Sequence, residues 1–166
     1  MRTAIALGSN IGDRLANLQS ARKAIADLPG VHQPVLASPV YQTDPIDCEP
    51  GAAKFLNAVI EFEYRGDLAV LMEELIRIEE SLGRKRDHAR NISRAIDLDL
   101  LYGNGAIIGT DELQLPHPRM HLRKFVLQPL VDIRGDLILP GQNASVRELL
   151  ARLPDSGKVV QFKDQW

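Results

Sequence analysis

The hydrophobic positions of this chain switch between a period of two and a period near 3.6, and the switches mark its elements. Thr3–Leu7 is an apolar run that reads as a buried strand, broken by Gly8-Ser9-Asn10. Leu15, Leu18, Ala21, Ile25 and Leu28 then recur at helical spacing, with Asn10 or Asp13 available as the cap and Pro29-Gly30 as the stop. Val35–Thr43 reads as a strand interrupted by Pro39, which places it near an edge or at a bulge. Asp44–Ala53, with two prolines and a glycine, is a loop. Phe55–Glu63 alternates, with Leu56, Ala58, Ile60 and Phe62 on one face and Phe55, Asn57 and Val59 on the other. Asp67 caps a second helix with the stripe Leu68, Leu71, Met72, Leu75, Ile78 and Leu82, ended by Gly83; Glu79 lies one position off that stripe.

Arg94–Leu101 is predicted as a strand with Asp97 and Asp99 on one face and Ile96, Leu98 and Leu100 on the other. Tyr102-Gly103-Asn104-Gly105 predicts a hairpin turn returning through Ala106–Ile108. Leu115-Pro116-His117-Pro118 is a stiff connector. Arg119–Val131 predicts a helix that Pro129 kinks or ends. Ser145 and Glu148 form a capping box for a last short helix through Leu153, and Val159–Phe162 adds a terminal strand. The order β-α-β-β-α-β is that of the split βαβ, or ferredoxin-like, arrangement. The expected fold is α+β: a mostly antiparallel sheet, two helices on one face and the C-terminal helices on the other, in three layers. One domain over 1–166 is expected.

Composition narrows the function classes. The 166 residues are 45% hydrophobic and 25% charged, as in an ordinary soluble protein. A net charge of −2 supplies no global basic field to recruit nucleic acid. Cys48 is the only cysteine, which excludes an intramolecular disulfide framework and a cysteine-based zinc site. No segment is long enough to span a membrane, so a cytoplasmic protein is expected. Neither a Walker glycine-lysine loop nor a G-x-G-x-x-G is present.

The chemistry concentrates between Arg84 and Asp99. Two carboxylates side by side repel, and a hard cation such as Mg2+ relieves that; a solvated acidic face is the other reading. The preceding run holds Arg84, Lys85, Arg86, Arg90 and Arg94 without hydrophobic periodicity. By itself it reads as a solvated loop or a nucleic-acid contact. Next to the Asp pair, it describes a polyphosphate site with metal on one side and guanidinium groups on the other. Asn57 fits either solvation or hydrogen bonding to a ligand, and His117 either a structural or a functional role.

Gly8-Ser9-Asn10, Phe55-Leu56-Asn57-Ala58, Glu79 with Gly83-Arg84, Arg94-x-x-Asp97-Leu98-Asp99, and Leu115-Pro116-His117-Pro118 with Arg123-Lys124-Phe125 occur in order. Together they closely resemble the 6-hydroxymethyl-7,8-dihydropterin pyrophosphokinases of folate biosynthesis, from Ala4 to about Pro140. The resemblance implies an ordered reaction, with MgATP binding before the pterin. The pterin hydroxymethyl oxygen attacks the β-phosphorus, pyrophosphate is transferred whole, and AMP leaves. It implies two Mg2+ ions on Asp97 and Asp99, with Asp97 the nearest acceptor for the hydroxyl proton. Arg84 and Arg94 would serve catalysis. Glu79, Arg84, Arg86, Arg90, Arg94, Leu100, His117 and Arg123 would bind ATP as co-substrate. Thr43, Pro45, Ile46, Phe55, Asn57 and Phe125 would form the pterin pocket. The expected partners are these small molecules, with no nucleic acid and no membrane, and a monomer is expected. The chain departs from the family pattern at Arg90-Asn91-Ile92-Ser93, where relatives carry an aromatic and a proline, and at Pro118.

Two other readings remain open at this point. Ferredoxin-like sheets also form RNA-binding and sensor modules, although base stacking needs exposed aromatics and these are only 5% of the chain. A metal-nucleotide site with a different acceptor is the other.

Overall fold

The computed structural model describes residues 2–45, 51–83, 93–103, 105–154 and 157–166. Its elements run β1 (Arg2–Ser9), α1 (Arg14–Ala26), β2 (Val31–Ala37), β3 (Val40–Thr43), β4 (Phe55–Tyr64), α2 (Leu68–Ser81) and β5 (Asp97–Gly103). Then come β6 (Ile108–Gly109), β7 (Gln114–Leu115), a 3-10 turn (Met120–Leu122), α3 (Lys124–Arg134), α4 (Val146–Arg152) and β8 (Val159–Lys163). The main sheet has the order β5-β1-β4-β3-β8, with β2 also on β4, and every pairing is antiparallel. β2 and β3 are two halves of one strand broken at Ser38-Pro39, so this is the ferredoxin-like order with β8 added outside β3.

Period-two alternation sorts the core into two layers. Ile5, Leu7, Leu56, Ala58, Ile60, Phe62, Leu98 and Leu100 meet the apolar stripes of α1 and α2. Leu71 and Leu75 are fully buried there, each worth about 2 kcal/mol of apolar transfer. On the other face Ala4, Val59, Leu101 and Tyr102 pack against α3 and α4. The result is the α/β/α sandwich expected. Asp13 and Asp67 cap α1 and α2, accepting from the backbone N–H of Ala16 and Ala69. The Ser145/Glu148 capping box opens α4 as read from sequence.

Several local expectations change. Gly8 and Ser9 do not break β1. They stay in the strand because it is paired on both sides, Gly8 lying opposite Asn57 and Asp97. β5 begins at Asp97 rather than Arg94. Ala106–Ile108 does not return along β5; Ile108 and Gly109 pair with Leu115 and Gln114 in a separate two-stranded sheet. The turn signal at Gly103–Gly105 is local and does not choose a partner. The edge of β5 is used otherwise: Glu79 accepts the Leu98 N–H at 2.7 Å, and the His117 N–H donates to Leu101 O at 2.8 Å. Arg119–Val131 is not one helix. A 3-10 turn precedes α3, which carries Pro129 internally and continues to Arg134.

A register shift between Ala4 and Ile5 leaves Leu101 as the extra residue of β5 and turns Tyr102 toward the α3 face. There Glu61, 1% exposed, is enclosed by charge: Arg134 grips it through Nε and Nη2 at 2.6–3.0 Å, Arg2 donates at 2.9 Å and the Tyr102 hydroxyl at 2.6 Å. Burial and this bond to Glu61 push the Tyr102 hydroxyl well above the usual phenol range.

Candidate active site

The extension of β1 to Ser9 sets the geometry of the site. Gly8 lies between Asn57 on β4 and Asp97 on β5, and Ala6 lies between Val59 and Asp99. One cleft is lined by Ala6, Leu7, Gly8, Asn57, Ala58, Asp97, Asp99 and Phe125. Both expected metal ligands and two expected pterin contacts therefore share a wall. Gly8 is small for a visible reason: a Cβ there would stand 3.0 Å from Asn57 Oδ1 and 4.0 Å from Asp97 Cβ, inside the cleft.

Asp97 and Asp99 are half-buried, and each already faces a guanidinium. Arg94 Nη1 donates to Asp97 Oδ1 at 2.9 Å, and Arg123 Nη1 to Asp99 Oδ2 at 3.1 Å. Arg94 Nε is buried without a hydrogen-bond partner among the described residues. Arg123 also covers the Phe125 ring, 5.5 Å from its centroid.

Arg94 is fixed by Asn10, which stands in the sequence as a possible helix cap and as part of the Gly8-Ser9-Asn10 signature, with no role in the site expected of it. Asn10, 3% exposed, accepts the Arg94 N–H at 2.7 Å and donates to Ser93 Oγ at 2.9 Å and to Ala53 O at 3.3 Å. It joins the entry of β5 to the residues that lead into β4. The Gly8-Ser9-Asn10 signature was visible, but its partners are 43 to 84 residues away, so no local pattern reveals the clip.

On the pterin side, Asn57 Nδ2 donates to Thr43 Oγ1 at 2.7 Å, both residues buried. That bond fixes the amide and leaves its oxygen toward Gly8. Phe55 is half-buried opposite Thr43 across the β3–β4 pair, and Pro45 follows just beyond β3. Phe125 sits in the first turn of α3. Asp44 binds Lys54 at 3.0 Å. The structure does not bring Leu100 to this face: its side chain is in the α1/α2 core, and Glu79 is buried beside it against β5. Ile46, Arg84, Arg86 and Arg90 lie outside the described residues.

His117 is held by its own backbone on β5, and its Nδ1 accepts from the Arg119 N–H at 3.2 Å. Burial lowers its pKa from 6.5; the Asp99 charge opposes that, and Arg123 and Arg119 reinforce it. The imidazole is thus neutral at pH 7. Its folded pKa lies below the unfolded one, so its stability contribution is present above 6.5 and is lost as pH falls below it. A proton NMR titration of the ligand-free protein should give His117 a midpoint below 6.5; a midpoint above it would contradict this environment.

The donor set fits Mg2+. Among the described residues no group of three or more His, Cys, Asp and Glu forms an all-protein cage. Mg2+ is held typically by one or two carboxylates together with substrate phosphates, which is what Asp97, Asp99 and the neighbouring guanidiniums provide for.

Comparisons with known proteins bear on the family of the chain and on its fold. Residues 4–135 match the family profile described as 7,8-dihydro-6-hydroxymethylpterin-pyrophosphokinase. A 2-amino-4-hydroxy-6-hydroxymethyldihydropteridine pyrophosphokinase of Methylorubrum extorquens is 39% identical over 156 residues, 94% of this chain and 96% of that protein. One from Haemophilus influenzae is 40% identical over 91% of this chain and 92% of its own. Among solved structures, an HPPK-DHPS in complex with substrates superposes with a TM-score of 0.70 at 12% identity, over 90% of this chain and 42% of that one. A Plasmodium falciparum HPPK-DHPS with pterin and p-hydroxybenzoate gives 0.67 at 14% identity, again over 90% and 42%. The chain thus spans about two-fifths of those solved chains, and at such identities they show the fold alone. The profile over residues 4–135 and the relatives, which span more than nine-tenths of the sequence, show the family: this chain belongs to the 7,8-dihydro-6-hydroxymethylpterin pyrophosphokinases.

Proposed function

We propose that the Asp97/Asp99 face receives the triphosphate of ATP with Mg2+, and that the adjoining Asn57–Phe125 cleft receives the pterin. The reaction of the family is pyrophosphate transfer from ATP to the hydroxymethyl group of 6-hydroxymethyl-7,8-dihydropterin in folate biosynthesis, and this chain is a transferase of that kind. The observation that carries the assignment of the site is the shared cleft wall, where two carboxylates and an oriented amide are two strands apart.

The roles follow from placement. Asp97 and Asp99 would hold the two Mg2+ ions that the family resemblance implies, whose chemistry there would be to neutralise phosphate charge. Arg94 and Arg123 lie beside those carboxylates and would turn their donors to phosphate. Arg84, Arg86 and Arg90 would add charge from the preceding segment. Glu79 and the backbone of Leu100 would border the adenosine on the β5 edge, with His117 at the phosphates as a neutral ring. Asn57, oriented by Thr43, would hydrogen-bond the pterin edge while Phe125 stacks on the ring, with Phe55, Pro45 and Ile46 closing the pocket.

In this arrangement the hydroxymethyl oxygen bonds to the β-phosphorus as the bond from that phosphorus to the α,β-bridging oxygen breaks. The hydroxyl proton would pass to Asp97, the acceptor that the family resemblance implies, and AMP departs. Positioning and charge neutralisation supply most of the acceleration in such transfers. The same reading makes residues 1–166 a single catalytic unit, monomeric and cytoplasmic; no helix among the described residues is long and apolar enough to cross a membrane.

The reading is tested by steady-state assays with ATP and the reduced pterin alcohol. AMP release should require both the pterin and Mg2+ and stop on chelation. Asn57→Ala should raise the pterin KM about 30-fold, the cost of a lost oriented amide of about 2 kcal/mol, with the ATP KM unchanged. Metal-independent turnover, or an Asn57→Ala effect on ATP alone, would contradict the assignment.

A further inference from the structure

Thr43, which orients Asn57, sits on the four-residue strand β3, which is held on its inner edge by pairing with β4 and by the Tyr41 hydroxyl donating to Asp132 of α3 at 2.7 Å. The strand starts immediately after the Ser38-Pro39 break, where the register on β4 slips: Ala37 faces Ile60 but Tyr41 faces Asn57, so four steps on one strand match three on the other. Such a shift needs to be locked, or strand and side chains move together.

Segment 157–166, to which the functional reading gives no role, provides the lock. β8 pairs along the outer edge of β3, with Val159 opposite Thr43 and Gln161 opposite Tyr41. At the far end Trp166 reaches the break itself, its indole N–H donating to Ser38 O at 2.7 Å. Ser38 is fully buried and bonded to Val59 through both N–H and Oγ, at 2.9 and 3.0 Å. Arg22 of α1 holds Trp166 in turn, donating to its carbonyl oxygen and lying 5.2 Å from the indole centroid. Both ends of β3 are therefore tied from outside, one at Ser38 and the other at Thr43.

We propose that Trp166 is a positioning residue for the pterin substrate. By fixing the register break at Ser38 and seating β8 on β3, it sets where Thr43 holds the Asn57 amide. Asp97 and Asp99 stand on β5, which is separated from β3 by β1 and β4 and pairs with neither β3 nor β8, so the effect is selective for pterin. The proposal rests on the assignment of Asn57 and Thr43 to the pterin.

The test compares wild type, Trp166→Ala, Trp166→Phe and Asn57→Ala, varying ATP and pterin alcohol separately and measuring pterin affinity directly by its fluorescence. Trp166→Ala should raise the pterin KM and dissociation constant about tenfold while leaving the ATP KM unchanged. Trp166→Phe, which keeps a ring for Arg22 but has no N–H for Ser38, should fall between. If Trp166→Ala does not fold, Arg22→Gln removes one anchor only and should show the same selectivity at smaller size. Equal changes in both KM values, or none, would overturn the proposal. If Asn57→Ala raises the pterin KM and the Trp166 variants do not, this inference alone fails. If Asn57→Ala also leaves it unchanged, the pterin-site assignment fails and this inference with it.

Discussion

Asp97→Ala and Asp99→Ala are each expected to lower turnover about 1000-fold or more at saturating substrates, the scale at which losing one preorganised charge in a phosphoryl-transfer site is felt. Stability should change little. The Asp97 and Asp99 side chains keep 27% and 32% of their surface in solvent, and each pairing with Arg94 or Arg123 is partly solvated, so removing either should cost about 1 kcal/mol. The combination is diagnostic: large kinetic loss with a nearly unchanged melting temperature marks a site, whereas the reverse would mark a structural ion pair. Full turnover in either variant would remove the metal assignment.

The second large effect lies at the other end of β4. Glu61→Ala should lower the unfolding free energy by about 3 kcal/mol, since it leaves two guanidiniums and a buried phenol without their acceptor. For a chain of this size that is a drop of about 9 °C in Tm. Glu61 is four residues from Asn57, about 13 Å along the strand, so kcat and both KM values below the melting range should stay near wild type. A calorimetric scan checks the first part and a kinetic assay the second. An unchanged Tm would show that the Arg134, Arg2 and Tyr102 contacts contribute nothing net.

The contrast between these two clusters shows what was legible in the chain. The Asp97/Asp99 face follows from period-two spacing within a few residues, and the two-layer core follows from the same alternation in β1 and β4 and from the stripes of α1 and α2. Glu61 continues the Phe55–Asn57–Val59 face, but its partners Arg2 and Arg134 are 59 and 73 residues away, and nothing near it announces them. Gly8 was misread for a related reason. Glycine is a local strand breaker, but here it is paired on both sides, and its missing Cβ makes room for Asn57. The Tyr102–Gly105 signal marked a change of direction correctly without naming the partner strand, which is decided by Glu79 and His117 having taken the edge of β5.

The brace formed by β8 and Trp166 was the least visible. Alternation over Val159–Phe162 predicts a short terminal strand, but not its place on β3 or the reach of Trp166 to Ser38, both of which depend on how the sheet is closed.

The central claim is that pyrophosphate passes as a unit from ATP to the pterin at this site. It is tested most directly by running parallel reactions with ATP labelled at the α- or the γ-phosphorus and separating the products. The account predicts that γ-label appears in the pterin product and α-label only in AMP. Gamma-label in free phosphate, or α-label in ADP, would contradict it.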